Sequence, residues 1–237
     1  MTFYRVFPDP RLAIDPDSPG GRDLLTDLYR IDKSPSVRVN MIVRPDGSIA
    51  GSDGTSGSLS SPDDRHLVGV LRGMADVVII GAETLRRERI PVPRHIPLLV
   101  VSNSGQIAAH NVIFGRESGD LVVMTSSPDE ASTALGDTPH RTINPGRPSP
   151  SAKNIIDLCG AEGWMNILVE GGRQLATLFA DADCVDDLCV TLTGAPRLED
   201  TPPIAWWPAV TRWTTSHLLM DDHRMLYHRY TASAESE

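Results

Sequence analysis

The sequence is poor in lysine and cysteine and contains no long hydrophobic run. No apolar stretch approaches the roughly 20 residues that a membrane-spanning helix needs. The chain begins Met-Thr-Phe-Tyr-Arg, without the hydrophobic region of a signal peptide. Its three cysteines, Cys159, Cys184 and Cys189, lack the CxxC spacing of metal or redox sites and are expected to be buried thiols. These absences predict a cytoplasmic protein with no membrane partner.

Several catalytic motifs are also missing. There is no GxSxG nucleophile elbow, and neither the HxE nor the PCxxC motif of zinc deaminases occurs. The seven histidines show no paired spacing of the kind that metal ligands have. We therefore predict no metal site and no hydrolase of these classes.

The charge balance narrows the range of partners. A formal net charge of -9 argues against general binding to nucleic acid backbones, which repel acidic surfaces. Lys33 and Lys153 are the only lysines, so nearly every cation is an arginine. Arginine suits bidentate contacts with phosphate, although the bias could equally reflect the base composition of the genome. Small phosphorylated ligands stay possible.

A length of 237 residues suits one domain with a terminal extension. Residues 1–35 are rich in Pro and Asp before a short helical pattern around Leu24, Leu25 and Leu28, and they are too few to bury a core of their own. We predict an N-terminal arm over residues 1–35 and one domain over residues 36–237. The Gly136 to Pro150 stretch is turn-rich and is expected to be a solvent loop.

The most informative stretch runs from Asn166 to Phe179, with the sequence NILVEGGRQLATLF. A short apolar run predicts a buried strand, two glycines predict a tight turn, and apolar residues at helical spacing predict an amphipathic helix. Gly171 and Gly172 leave the first amides of that helix uncovered, so an anion could approach its positive end. The alternative is that the glycines only make a tight turn between the strand and the helix.

The rest of the chain repeats this alternation. Strands are predicted at Val77 to Ile80, Leu98 to Val101 and Leu121 to Met124, and helices at Pro128 to Leu135 and Ile155 to Cys159. Trp213 to Leu219 and Met225 to Tyr230 have the pattern of a closing antiparallel hairpin. Ser61, Pro62 and the two aspartates after them mark a helix start.

Leu168 to Leu175, followed by Val185-Asp186-Asp187-Leu188, resembles the signature of the reductase domain of the bacterial riboflavin-biosynthesis deaminase/reductase family. The resemblance spans roughly Ser36 to Tyr230. It implies a dihydrofolate-reductase-like fold, which is an α/β three-layer αβα sandwich with a mixed, mostly parallel sheet and a C-terminal antiparallel hairpin. It also implies NADPH as cofactor, a homodimer, and a stand-alone reductase, since the deaminase motifs are absent.

The resemblance assigns cofactor contacts to residues that follow three of the predicted strands. Gly81, Thr84 and Glu88 follow the strand predicted at Val77 to Ile80, and Ser102 follows the one at Leu98 to Val101. The apolar run that begins at Asn166 is followed by Gly171, Gly172, Arg173, Gln174 and Leu175. Glu88 stands where the family has an aspartate. For Ser102, ordinary loop chemistry is an adequate alternative explanation.

The resemblance also assigns substrate contacts. Glu170 would hold the pyrimidine, Ser56 and Arg72 would contact the substrate, and Arg94 would bind its phosphate. Asp46, in an Asp-Gly pair that the family shares, lines the pocket and with Glu170 is the predicted catalytic group. The alternatives are a turn-former for Asp46 and solvated surface arginines for Arg72 and Arg94.

The sequence departs from the family at three places near the predicted pocket. Arg44 and Pro45 replace a Ser-Leu pair, and Ser58 replaces a tryptophan found near the cofactor in some members. The main hypothesis is an NADPH-dependent reductase of 5-amino-6-(5-phosphoribosylamino)uracil. The alternatives are a dihydrofolate or pteridine reductase, whose substrate would be a pterin, and a non-catalytic nucleotide-binding protein.

Overall fold

The computed structural model describes residues 2–193 and 213–232. Its strands in chain order are β1 (Phe3–Phe7), β2 (Leu12–Ile14), β3 (Ser36–Val43), β4 (Val77–Gly81), β5 (Ile90–Pro91), β6 (Leu98–Val101), β7 (Val112–Ile113), β8 (Leu121–Met124), β9 (Arg141–Ile143), β10 (Asn166–Val169), β11 (Asp187–Leu192), β12 (Trp213–Asp221) and β13 (Leu226–Ala232). Its α-helices are α1 (Pro19–Tyr29), α2 (Pro62–Arg72), α3 (Ala82–Arg87), α4 (Pro128–Leu135), α5 (Ala152–Ala161) and α6 (Arg173–Asp181).

The chain divides into two compact units. The central unit is the continuous segment Ala75–Cys184, and the terminal unit combines Met1–Met74 with Val185–Glu237. Strand alternation with helices in the middle of the sequence therefore produces one unit, and the two ends of the chain produce the other.

The central unit contains a parallel array of short, buried strands. Their order is β10-β4-β6-β8-β9, and each neighbouring pair is parallel. The residues of β4, β6 and β8 are almost wholly buried, as expected for apolar runs covered on both faces. Because the strands are parallel, the loops that follow β10, β4 and β6 leave the array at the same edge.

The terminal unit is mostly antiparallel. Its described strands have the order β2-β1-β12-β13-β11-β3, and among these strands only β11 and β3 pair in parallel. Strands β12 and β13 form the predicted C-terminal hairpin. The predicted α/β class with a mixed sheet is therefore confirmed. The start of α2 also follows the sequence signal, since the Asp64 amide donates to the Ser61 hydroxyl at 3.0 Å.

Three features differ from the sequence predictions. The first residues of the chain form strands β1 and β2, where only a helix was predicted. Strand β9 lies inside the stretch that was predicted to be a solvent loop. Cys184 is half-buried, whereas Cys159 and Cys189 are buried as predicted. In the first two cases the strands are only three to five residues long, too short to show a clear alternation.

A buried charge cluster joins three strands of the terminal unit. Asp187 at the start of β11 accepts a hydrogen bond from Arg38 Nε at 2.8 Å and one from Arg229 Nε at 2.7 Å. All three side chains are nearly inaccessible to solvent. One carboxylate between two guanidinium groups offsets part of the cost of burying these charges.

The remaining donors of the two arginines satisfy the C-terminal end of helix α1. Arg38 donates to the carbonyl oxygen of Tyr29, and Arg229 donates to those of Leu28 and Arg30. These carbonyls have no partner within the helix. The cluster therefore attaches helix α1 to strands from both ends of the sequence.

Candidate active site

The two glycines after β10 make the turn that the sequence predicted. Gly171 has φ +102° and Gly172 has φ +81°, a region that side chains with a Cβ rarely adopt. Gly172 is the N-cap of α6, and no side chain caps the helix from this position. The start of α6 therefore lacks the capping oxygen that the side chain of an N-cap residue usually supplies.

This turn packs against the beginning of helix α3. A Cβ on Gly172 would lie 3.2 Å from Thr84 Oγ1, 3.8 Å from Gly81 N and 3.9 Å from Gly81 Cα. On Gly171 it would lie 3.5 Å from Thr84 Cγ2. The turn after β10 and the start of α3 after β4 therefore meet, and they bring four of the predicted cofactor residues together: Gly81, Thr84, Gly171 and Gly172.

The first turn of α6 holds the other predicted residues of this segment. Arg173 and Gln174 are exposed, while Leu175 is buried and anchors the helix to the array. The Ala176 amide is the first to be satisfied inside the helix, by the carbonyl of Gly172 at 3.0 Å. The exposed part of this turn thus combines a cation, an amide side chain and the start of a helix.

Ser102 lies directly after β6, at the same edge of the array. It is 3% exposed, and its amide donates to Met124 O at 3.0 Å. Its hydroxyl oxygen has no hydrogen-bond partner in the described part of the chain. A buried hydroxyl without a partner is uncommon and indicates a group that a ligand or a water satisfies.

Glu170 directly precedes the glycine turn, and Glu88 lies at the end of helix α3. The Glu170 amide donates to Ile79 O at 2.9 Å, which continues the β10–β4 pairing one residue beyond the strand. Glu88 is the C-cap of α3, and its amide donates to Thr84 O at 2.9 Å. Both glutamates are half-buried.

Three predicted substrate residues belong to the terminal unit. Asp46 is exposed in the turn after β3, where it accepts from the Ser48 amide at 2.9 Å and lies 3.6 Å from Arg44 Nε. Ser56 lies in the loop before α2, and its carbonyl accepts from the Leu59 amide at 2.9 Å. Arg72 is the last residue of α2 and is half-buried. Asp46 thus stabilises a turn through its side chain, as aspartate residues commonly do.

Arg94 lies on the approach to the amino-terminal end of β6. It forms an isolated bridge with Ser118, which lies shortly before β8, and its guanidinium pairs with Glu117. The carboxyl ends of β4, β6 and β10 lie at the other edge of the array. The structure therefore does not bring Arg94 together with the glycine turn, and its role as a phosphate anchor stays a prediction.

Arg86 was not among the residues predicted from the sequence. Its guanidinium extends from the last turn of α3 and donates through Nη1 to Gln106 O at 3.1 Å. This contact attaches α3 to the loop after β6. The two residues are 20 positions apart and lie in segments without a shared motif, so no sequence signal connects them.

These features fit a dinucleotide cofactor. The glycine turn provides a cradle that a Cβ would partly fill, the uncapped α6 amides suit a phosphate, and Ser102 offers an unpartnered hydroxyl at the same edge. Ligands of open parallel sheets bind outside the carboxyl ends of the strands. No group of three or more potential metal ligands occurs within residues 2–193 and 213–232.

None of the helices in the described ranges is both long and apolar enough to span a membrane.

The structure resembles a pyrimidine reductase-like protein from Corynebacterium diphtheriae, with a TM-score of 0.62 and 21% identity, over 85% of this chain and 93% of that one. It also resembles a diaminohydroxyphosphoribosylaminopyrimidine deaminase/5-amino-6-(5-phosphoribosylamino)uracil reductase from Thermotoga maritima, with a TM-score of 0.61 and 15% identity, over 90% of this chain and 61% of that one.

Sequence relatives agree with these structures. The riboflavin biosynthesis protein RibD of Chlamydia trachomatis is 25% identical over 165 residues, which are 64% of this chain and 44% of that protein. The chain thus spans less than half the length of this curated relative. Residues 35–198 match the model of the RibD C-terminal domain, and this match covers more than half of the chain. The protein therefore belongs to the RibD C-terminal domain family.

Proposed function

We propose that this protein is an NADPH-dependent reductase that converts 5-amino-6-(5-phosphoribosylamino)uracil to its ribitylamino form. The observation that carries the proposal is the glycine turn after β10, where Gly172 lies against Thr84 and Gly81 and no N-cap side chain covers the start of α6. Family membership and the reductase activities named for similar proteins support the same class of reaction.

In this proposal the cofactor phosphates lie at the start of α6. Gly171 and Gly172 keep the helix amides open, Arg173 and Gln174 border them, and Thr84 contributes its hydroxyl. Gly81, Glu88, Ser102 and Leu175 complete the predicted cofactor site. Bound NADPH supplies the hydride, and the protein contributes position and charge.

The substrate would be held mainly through its pyrimidine and its phosphate. Glu170 accepts hydrogen bonds from the pyrimidine, Asp46 orients the sugar or relays a proton, and Ser56 contacts the substrate. Arg72 binds the phosphate, and Arg94, which lies at the other edge of the array, stays a predicted second anchor. An open-chain imine is already electrophilic, so holding its carbon within about 3–3.5 Å of the hydride donor would provide most of the rate advantage.

We also propose a homodimer. Tyr4, Met220 and Leu226 lie directly opposite one another on β1, β12 and β13 and therefore share one face of the sheet. Tyr4 is 40% exposed, and the other two are half-buried. The opposite face carries the buried Phe3 and Tyr227. A second copy would cover this apolar face. Trp206 and Trp207, for which packing or subunit contacts are the expected roles, lie outside the described residues.

The test is an absorbance assay of NADPH oxidation by the purified protein. We expect oxidation with 5-amino-6-(5-phosphoribosylamino)uracil and none with dihydrofolate. Oxidation with dihydrofolate alone would assign the protein to the pterin reductases instead. NADPH binding without oxidation by either compound would identify a nucleotide-binding protein. Sedimentation at micromolar concentration tests the dimer, and a species of 25.7 kDa would contradict it.

A further inference from the structure

The loop before α2 contains an aspartate that the proposed reaction does not use. Residues 51–59 have the sequence GSDGTSGSL, in which most positions are glycine, serine or threonine. A chain of this composition has a high conformational entropy, so it has little tendency to keep one shape by itself. The loop carries Ser56, a predicted substrate contact, and Ser58, where the sequence departs from the family. The hydrogen bonds inside the loop therefore decide where Ser56 lies.

The Asp53 carboxylate connects the two halves of this loop. Its Oδ1 accepts from the Thr55 amide at 2.9 Å and from Ser58 Oγ at 2.6 Å, and its Oδ2 accepts from Thr55 Oγ1 at 2.9 Å. The hydrogen bond from Ser58, followed by those from Thr55, lowers the pKa of Asp53 below its usual range. An ionised carboxylate is a stronger acceptor than a neutral oxygen. Asp53 thus holds the residues on both sides of Ser56.

The backbone closes the loop around the same contacts. The Gly51 amide donates to Thr55 O at 2.9 Å, and the Leu59 amide donates to Ser56 O at 2.9 Å. Ser58 Oγ lies against the start of the loop, since a Cβ on Gly51 would be 2.1 Å from it. Ser56 therefore lies between two short turns, and the aspartate links them.

The end of the loop is attached to α2. Ser60 Oγ donates to Asp64 Oδ2 at 2.7 Å, and Arg65 Nη1 donates to Ser60 O at 3.0 Å. This anchor fixes the point at which the loop enters the helix. The shape of the part that precedes it depends on the contacts of Asp53.

We propose that Asp53 is a positioning residue, which orders the loop through Thr55 and Ser58 and so holds Ser56 ready for the substrate. This role rests on the proposed function, because Asp53 acts through a predicted substrate contact. A loop that is ordered in advance lowers the entropy cost of binding. The contribution of Asp53 is therefore to KM rather than to kcat.

The first measurement concerns the loop without substrate. Asp53→Ala removes all three hydrogen bonds, whereas Asp53→Asn keeps one acceptor oxygen for the Thr55 amide and Ser58. Hydrogen exchange of the Gly51, Thr55 and Leu59 amides reports whether the loop is ordered. We expect exchange about two- to tenfold faster in Asp53→Ala, the range for one hydrogen bond, and an intermediate rate in Asp53→Asn.

The second measurement is steady-state kinetics with the pyrimidine substrate. Asp53→Ala should raise KM about two- to tenfold, leave kcat and NADPH affinity unchanged, and be partly rescued in Asp53→Asn. Ser56→Ala should raise KM by a similar factor. The double variant should be no worse than Ser56→Ala alone, because Asp53 acts through that residue.

Asp15→Ala is the matched control. Asp15 is also an exposed aspartate that accepts from an amide two positions ahead, that of Asp17 at 3.0 Å, but it lies in the turn before α1. Its replacement should change neither KM nor the exchange of the Gly51, Thr55 and Leu59 amides.

Faster exchange in Asp53→Ala without a rise in KM would overturn the positioning role and leave the proposed reductase intact. Unchanged exchange would do the same, and so would a double variant whose KM rises by the product of the two single effects. If the unmodified protein neither bound nor reduced the pyrimidine, the proposed function would fail and the role of Asp53 with it.

Discussion

Thr84 Oγ1 lies 3.2 Å from the position that a Cβ on Gly172 would occupy, so a side chain at this position would have to displace Thr84 by a few tenths of an ångström. Two strand-to-helix turns of the central unit therefore share one contact. Whatever displaces either turn also changes the approach to the α6 amides.

The glycine turn gives the first prediction. Gly172→Ala should weaken NADPH binding by about tenfold or more, because the added methyl group displaces Thr84 or the turn from the phosphate. Fluorescence titration of NADPH measures the change. Gly163 is the matched control, since it also has φ +81° but has open space around it. Gly163→Ala should cost on the order of 1–3 kcal/mol of stability from backbone strain and leave binding unchanged. Unaltered NADPH affinity in folded Gly172→Ala would contradict the prediction.

Glu170 gives the second prediction. Glu170→Gln should lower kcat/KM for the pyrimidine substrate about ten- to hundredfold, because it weakens charge-assisted hydrogen bonds worth about 1.5–3 kcal/mol. The affinity for NADPH should stay the same. Steady-state kinetics and NADPH titration separate the two effects. Glu162→Gln serves as the control, since this carboxylate pairs with Arg141 away from the glycine turn. A matching loss in the control would show that the effect is not specific to the site.

The two arginines predicted to bind the substrate phosphate differ in their surroundings, and this allows a third prediction. Arg72→Ala should raise KM about ten- to hundredfold through the loss of a charge-assisted contact. Arg94 pairs with Glu117 and is 74% exposed, so the phosphate would have to displace that carboxylate. If Arg94 binds phosphate, Glu117→Gln should lower KM and Arg94→Ala should raise it. If Arg94 only stabilises its loop, neither change should alter KM, and the exposed pair should contribute at most about 1 kcal/mol.

His217 gives a prediction about pH. It packs edge-on against Tyr29 at 4.6 Å, and burial, with Arg229 nearby, lowers its pKa to about 3. The folded protein therefore holds His217 in its neutral form. The stability that depends on this neutral form is complete above about pH 6.5, the pKa of histidine in the unfolded chain. That contribution is lost progressively as pH falls from about 6.5 towards 3.

Urea unfolding at pH 7 and pH 5 tests this effect. His217→Phe keeps an aromatic ring against Tyr29 but cannot accept a proton. Between these pH values the variant should lose about 2 kcal/mol less stability than the unmodified protein, which is the linkage expected for one such group. Equal losses in the two proteins would show that His217 is not the group responsible.

The cysteines give a final prediction. Burial raises the pKa of the Cys159 thiol to about 12, and burial together with Asp187 raises that of Cys189. Cys184 is half-buried and lies in the loop after α6. A thiol reagent should therefore label one cysteine rapidly in the native protein and all three after unfolding. Peptide mapping should find the native label on Cys184, and its absence in Cys184→Ser is the control.

The sequence was sufficient to predict the parts of the fold that depend on local patterns. Strands β4, β6, β8 and β10 are apolar runs bounded by turn residues, and α2 begins at a capping serine followed by proline. Strands β1, β2 and β9 were missed because three to five residues carry too little pattern, and their pairing depends on partners distant in the chain. The same reason applies to the charge cluster, where Asp187 and Arg38 are separated by 149 positions.

The candidate site was likewise predictable only in its local features. The Gly171-Gly172 turn was visible because glycine has few other reasons to occur in pairs between a strand and a helix. Its contact with Thr84 was not visible, and neither was the contact between Arg86 and Gln106. Both depend on how loops from different strands meet, which a single sequence does not encode in any local pattern.

The terminal unit combines two segments that are distant in the sequence, and this affects how the chain folds during its synthesis. The central unit is continuous and ends at Cys184, so it is fully translated while at least the 53 residues 185–237 are still to be added. At about 5–20 residues per second that interval is roughly 3–10 s. Arg38 is made early, yet its partner Asp187 and the neighbouring Arg229 arrive only within this interval. A nascent chain thus carries Arg38 without its carboxylate partner, and strand β3 without its neighbour β11, until the residues after Cys184 emerge, and in this period the exposed edge of β3 is open to pairing with other chains.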